Sequence, residues 1–291
     1  DFQSVALPAE LRHQYHLCTF PARRRSGGET GREYRQRMEG GTRLVVDIGN
    51  SRMKAGLFRH GRLTRTSTMP LGDVAAIGAF VASDRPEVVV VGSVASPDPA
   101  FANALHAWAP VVEVNGASEG PIRSAYRTRD TLGVDRWANA VAASLLFPGR
   151  PTLAISLGTC LTYDLVSADG EHLGGIISPG FRMRARAMGE FTARLMVVDP
   201  PDTPALLGTD TEACLASGTH HGLLAELAHT ISGFRHKQPG LAVVLTGGDA
   251  LRFARALESG IFAHPFLTLL GLHALSLPAR LASGTSSGPG R

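Results

Sequence analysis

Three short turns carry the residues best suited to handle phosphate. The first is Asp47-Ile48-Gly49-Asn50-Ser51-Arg52-Met53-Lys54. Its glycine lets the backbone approach an anion closely and turn amide N–H groups toward it. Asn50 and Ser51 add side-chain donors, Asp47 could hold a hydrated magnesium ion, and Lys54 could reach phosphate oxygens. The same residues also describe an ordinary hairpin with an Asx turn. The second turn, Gly158-Thr159, offers a hydroxyl and an amide. The third, Thr246-Gly247-Gly248-Asp249, would let a flat group such as an adenine ring lie against the backbone, or would be a plain turn with Asp249 as a helix N-cap.

Leu132-Gly133-Val134-Asp135-Arg136 opens a helix and suggests different chemistry. An Asp at a helix start serves as a cap or, at the mouth of a cleft, as a general base. The Arg beside it would suit a carboxylate on the substrate. Other candidates are weaker. His220-His221 has no third metal ligand in sight and reads as surface or packing. Arg182, Arg184 and Arg186 do not share one helical face. Cys160 adjoins the second turn but has no apparent base.

These residues need a frame, and the apolar pattern supplies one twice. Arg43–Asp47 reads as a strand entering the first turn, with Lys54–Phe58 as its hairpin partner. Helices are expected at Asp73–Ser83 and Pro99–Ala109, and strands at Glu87–Gly92 and Val111–Val114. An Ala-rich helix follows at Val134–Leu146. The plan then restarts with strands at Thr152–Leu157, Leu161–Val166 and His172–Ile177. Helices at Phe181–Met188 and Thr211–Gly233, a buried strand at Leu241–Thr246, and helices at Ala250–Glu258 and Phe266–Leu277 complete it, with Pro278 as the stop. A duplicated α/β domain with a cleft between its halves is the inference, and such clefts hold ligands.

Composition narrows the function classes. Apolar residues make up 44% and charged residues 19% of the 291, enough for a packed core. No apolar run reaches the ~18 residues of a membrane span, so no membrane role is expected. The 29 basic residues face 25 acidic ones, an excess too small to imply nucleic acid, and residues 1–41 hold seven Arg against five acids. Lys54 and Lys237 are the two lysines among those 29; chance explains them as well as function does. Cys18, Cys160 and Cys214 show no zinc spacing, and with no signal-like run in residues 1–40 they point to a reducing cytoplasm. Residues 1–42 are expected to be a disordered N-terminal extension with a short helix near Glu33–Met38, and 283–291 a flexible tail.

Six pieces taken in order resemble type III pantothenate kinases, a branch of the superfamily of acetate and sugar kinases, heat-shock chaperones and actin. They are Asp47–Lys54, Gly133–Arg136, Ser156–Thr159, Gly174–Gly180, Gly208–Ala213 and Leu245–Asp249. The resemblance covers about residues 43–275. It implies two ribonuclease H-like (actin-like ATPase) α/β domains, 43–149 and 150–282, around an interdomain cleft. It implies phosphorylation of the terminal hydroxyl of pantothenate by ATP with Mg2+, the first committed step toward coenzyme A. On that reading Asp47, Ile48, Gly49, Asn50, Ser51, Arg52, Met53, Lys54 and Thr159 bind ATP. Asp135 is the general base, and Tyr126, Gly133, Val134, Asp135 and Arg136 line the pantothenate site. Thr211 reaches substrate across the interface of a homodimer. One departure stands out: Ser156 occupies the place of an Asp that helps hold a monovalent cation, K+ or NH4+, so dependence on that cation is expected to be weakened or lost. Rival expectations are another kinase of the superfamily, such as a sugar kinase, and a catalytically weak nucleotide-binding accessory factor.

Overall fold

Leu44, Val45 and Val46 are all fully buried, although a strand points successive side chains to opposite faces. Both faces of this sheet are therefore covered. The computed structural model describes residues 41–94, 98–257 and 260–277. The expected disorder and helix within residues 1–40, the stop at Pro278 and the tail at 283–291 lie outside the described residues.

The first sheet has the order β3-β2-β1-β4-β5, from β1 (Thr42–Ile48), β2 (Met53–Arg59), β3 (Arg62–Met69), β4 (Val88–Ser93) and β5 (Val111–Val114). β1 pairs antiparallel with β2 and parallel with β4. Leu44, Val46 and Ile48 face helices α1 (Val74–Val81) and α2 (Pro99–Trp108) through Ile77, Val81, Phe101 and Leu105. Val45 faces the other way, toward α3 (Val134–Leu146) and α7 (Leu267–Leu275).

The second sheet repeats the plan with the order β11-β10-β7-β8-β9-β6. Its strands are β6 (Arg123–Ser124), β7 (Thr152–Leu157), β8 (Cys160–Val166), β9 (Glu171–Pro179), β10 (Ala242–Thr246) and β11 (Ile261–Ala263). β7 pairs antiparallel with β8 and parallel with β10, as β1 does with β2 and β4. Its outer face packs on α4 (Phe181–Glu190), α5 (Thr211–Lys237) and α6 (Ala250–Ala254) through Phe181, Leu223, Leu227, Ile231 and Phe253. Its inner face, through Ala154, Val166 and Val244, joins the cluster that holds α3 and α7. These two helices form the layer between the sheets. A Cβ on Gly271 of α7 would sit 1.9 Å from the carbonyl oxygen of Ala138 on α3, so glycine permits that approach. The arrangement is the duplicated ribonuclease H-like α/β plan that the resemblance implies.

Strands β3, β6 and β11 are additions to the sequence reading. α6 ends at Ala254 and gives way to a turn at 255–257; Glu258, where the expected helix ends, lies outside the described residues.

Candidate active site

A small glycine turn terminates β1 and β7, the equivalent strands of the two sheets. After β1, Asp47 pairs across the ladder with Lys54, and the Gly49 amide donates to the Arg52 carbonyl at 3.1 Å. After β7, the Gly158 amide donates to the Cys160 carbonyl, also at 3.1 Å. The two turns meet: Ser51 Oγ and Thr159 Oγ1 are 3.3 Å apart. A Cβ on Gly180 would lie 2.4 Å from the Thr159 carbonyl oxygen, and one on Gly247 would lie 2.3 Å from that of Leu157. Gly247 also has φ +97°, a conformation that favours glycine. The third turn thus closes on the end of β7, where the Asp249 amide donates to Leu157. Asp249 occupies the N-cap position of α6 but makes no capping bond with its side chain.

Asn50, Ser51, Arg52 and Thr159 are exposed around this junction. Ile48 and Met53 are buried in the core, so they can offer only backbone groups to a ligand. Lys54 Nζ donates to the Pro265 carbonyl at 3.3 Å. Burial pushes the Lys54 ammonium below its usual range, with Asp47 partly opposing the shift.

The carboxylates of Asp47 and Asp135 are close enough for the charge of Asp135 to act on Asp47. Burial pushes the Asp47 carboxyl up to about 7; Lys54 counters this, and the charge of Asp135 adds to it. Asp135 itself is raised by burial, against the Arg136 amide that donates to its Oδ1 at 2.9 Å, while Asp164 raises it further. It sits in the first turn of α3, whose N-cap is Gly133. A Cβ on Gly133 would lie 2.6 Å from Asp135 Oδ1, so glycine leaves room for the carboxylate. Val134 is buried in the core.

A magnesium ion fits here only in company with nucleotide phosphates. Among the described residues no three His, Cys, Asp or Glu side chains gather to hold a metal. Asp47, whose carboxyl burial pushes up to about 7, is suited when ionised to one water-mediated contact with a cation.

Arg136 is less free than its sequence context suggests. It is 5% exposed and pairs with Asp164 through Nε–Oδ2 at 3.1 Å and Nη2–Oδ1 at 2.7 Å. Burial alone would lower its pKa, but Asp164 and Tyr126 more than offset it, so the guanidinium stays charged. Nη1 remains, 3.5 Å from the Tyr126 hydroxyl. His172 Nε2 also meets Asp164 Oδ1, at 3.0 Å. Asp164 and His172 were not singled out from the sequence. A lone carboxylate inside the apolar run Leu161–Val166 is the signal that could have found them, since a buried charge needs a partner.

Ser156 lies between Thr162 and Thr246 in the strand register. Hydroxyls, not carboxylates, line this row, and Thr246 Oγ1 is buried without a hydrogen-bond partner among the described residues. Thr211 is the exposed first residue of α5, which Asp210 caps by accepting from the Ala213 amide at 2.8 Å. His220 is packed between Phe181 and Phe253, as the packing reading expects. Among the described residues no helix is long and apolar enough to cross a membrane.

The model of the type III pantothenate kinase family matches residues 43–233. A type III pantothenate kinase of Porphyromonas gingivalis is 38% identical over 234 residues, covering 79% of this chain and 96% of the relative. One of Christiangramia forsetii is 35% identical over 232 residues, with the same coverage of each chain. The solved structure of a Baf-family protein of Campylobacter jejuni shares the fold, with a TM-score of 0.52 at 19% identity over 80% of this chain and 96% of that one. A match running from the first phosphate turn into the long helix α5, at this identity, means that the chain belongs to the type III pantothenate kinase family.

Proposed function

We propose that this protein phosphorylates the terminal hydroxyl of pantothenate with ATP, giving 4′-phosphopantothenate on the way to coenzyme A, and that Asp135 is the general base. Family membership carries the reaction. The buried setting of both carboxyls, each raised by desolvation, supports the roles of these two residues.

Phosphoryl transfer requires positioning and charge neutralisation more than covalent chemistry. The amides around Gly49 and Gly158, with Ser51 and Thr159, receive the nucleotide phosphates. Asp135 takes the proton of the acceptor hydroxyl as its oxygen bonds to the γ-phosphorus. The bond from that phosphorus to the bridging oxygen breaks, and ADP leaves. Magnesium, when bound with ATP, neutralises charge on the phosphate oxygens, and Asp47 would hold its water ligands. A carboxyl raised by burial is suited to accept a proton, because its basicity lies nearer neutral pH. Arg136 Nη1 and the Tyr126 hydroxyl are the donors left to meet the pantothenate carboxylate.

The surface supports a homodimer. Ile177 of β9 and Leu206 and Leu207 before α5 are 60%, 77% and 82% exposed, apolar area of the kind that marks an interface. Thr211 follows Leu206 and Leu207 closely in sequence, consistent with a residue that reaches a neighbouring subunit's substrate. The hydroxyl row around Ser156 supports weak or absent use of potassium or ammonium, because no carboxylate stands beside it in the register. Free thiols at Cys160 and Cys214 suit a cytoplasmic protein.

The test is an assay of the purified protein with ATP and a panel of pantothenate and hexoses, read by mass spectrometry of the products. Phosphopantothenate alone is expected. Phosphorylated sugar, or ATP binding without turnover, would refute the assignment.

A further inference from the structure

Behind Tyr126 and Arg136 lies a buried polar chain that the transfer step does not use. We propose that His172 is a positioning residue, which holds Asp164 and Ser124 so that Arg136 and Tyr126 present one fixed pair of donors to the acceptor's carboxylate. The inference rests on the pantothenate reading of the site.

Asp164 is 1% exposed, His172 0%. The carboxylate can only accept hydrogen bonds, and it takes three from side chains: Arg136 Nε and Nη2, and His172 Nε2. Nε2 of the ring must therefore carry a proton. In the neutral ring Nδ1 is then an acceptor, and it lies 3.2 Å from Ser124 Oγ. The serine donates to the ring and accepts from the Tyr126 amide, also at 3.2 Å. With a neutral ring the direction runs from the Tyr126 amide to Ser124, from Ser124 to His172, and from His172 to Asp164.

The chain adds side-chain bonds to the short backbone pairing of β6 with β9, in which the Ala125 amide donates to the His172 carbonyl at 2.8 Å. β6 has two residues and joins the sheet only through β9, with Ser124 opposite His172. The Tyr126 ring lies nearly parallel to the His172 ring, 5.9 Å between centroids and 13° between planes. The Arg136 guanidinium stands 5.5 Å from the Tyr126 ring centre. A Cβ on Gly175 would come within 2.8 Å of Arg136 Nη2, so glycine lets the guanidinium lie against β9. Being fully buried, His172 acts through these neighbours and not on substrate.

The test compares His172→Phe, which keeps a ring but removes both nitrogens, with His172→Gln, which can still donate to Asp164, and with Ser124→Ala. The pantothenate KM should rise about tenfold in His172→Phe, with the ATP KM and kcat within about threefold of wild type. His172→Gln should recover most of this. Ser124→Ala, at a half-buried position that leaves the Arg136–Asp164 pair intact, should raise the pantothenate KM a few-fold; it decides the matter if His172→Phe does not fold. Unmoved pantothenate KM values, equal losses toward ATP and pantothenate, or no recovery with Gln would overturn the inference. A wild-type protein inactive toward pantothenate would overturn the reading of the site and this inference with it; an active wild type with unmoved variants would overturn the inference alone.

Discussion

Ser51 and Thr159 are 108 residues apart in the chain, yet their hydroxyl oxygens are 3.3 Å apart. Ser51 belongs to the turn after β1 and Thr159 to the turn after β7, so the duplication brings equivalent turns to one point. A hydrogen bond between two exposed hydroxyls adds little net stability, because water replaces either partner. A phosphate oxygen can therefore part them at small cost and take both donors.

It follows that Ser51→Ala and Thr159→Ala should each raise the KM for ATP by roughly three- to tenfold and leave the pantothenate KM unchanged. Thermal stability should stay within about 1 kcal/mol of wild type, since both side chains are exposed. Steady-state kinetics with each substrate varied in turn would check this. An unchanged ATP KM in both variants would mean that the turns do not cradle phosphate.

Gly133 controls the space occupied by the Asp135 carboxylate. Its φ of −56° suits any residue, so alanine is tolerated by the backbone, but the new methyl group would lie 2.6 Å from Oδ1. The carboxylate must then move. Gly133→Ala should lower kcat by about 10- to 100-fold with little change in melting temperature. Asp135→Asn should lower it by about 10² to 10⁴ while pantothenate still binds. Near-normal turnover in Asp135→Asn would remove the base from the mechanism.

The turns and the helix that carry these residues were legible because their signals are local. β1 and β7 have the expected apolar spacing and end just before Gly49 and Gly158, and α3 starts just after Gly133. β3 escaped because a strand of Arg, Thr and Ser at a sheet edge shows no alternation; its backbone ladder with β2 holds it. β6 escaped because two residues have no period, and their partners lie in β9. Arg136 reads in sequence as a free clamp for a substrate carboxylate. Its counter-ion is 28 residues away on another strand, and nothing in the local pattern pairs them. Asp47 and Asp135 were each recognisable, but the effect of the Asp135 charge on Asp47 depends on tertiary packing that brings β1 and α3 together.

The row Ser156, Thr162 and Thr246 makes a prediction about monovalent cations. Hydroxyls offer dipoles but no charge, so a cation there would lose hydration without gaining an ion pair. The rate at saturating Mg·ATP should change by less than about twofold between sodium and potassium buffers. Ser156→Asp should introduce a potassium response. Strong activation of the wild type at low millimolar potassium would show that the hydroxyl row suffices.

Asp47 links the site to pH. Its carboxyl is pushed up to about 7 in the fold by burial, from an ordinary value of 3.8. The stability this group contributes is thus fully present below about pH 4 and is lost as pH rises through about 7. Asp47→Asn removes that dependence. The variant should be more stable than wild type at pH 8, by on the order of 2 kcal/mol, with the difference shrinking steadily toward pH 4. Mg·ATP favours the ionised carboxylate, so below pH 7 its binding should release a proton and tighten as pH rises. Thermal melts from pH 5 to 8.5, with and without Mg·ATP, and calorimetry in buffers of different ionisation enthalpy would measure both effects. A wild-type to variant difference that stays constant with pH would mean that Asp47 ionises as it would in water, and the electrostatic coupling to Asp135 would lose its support.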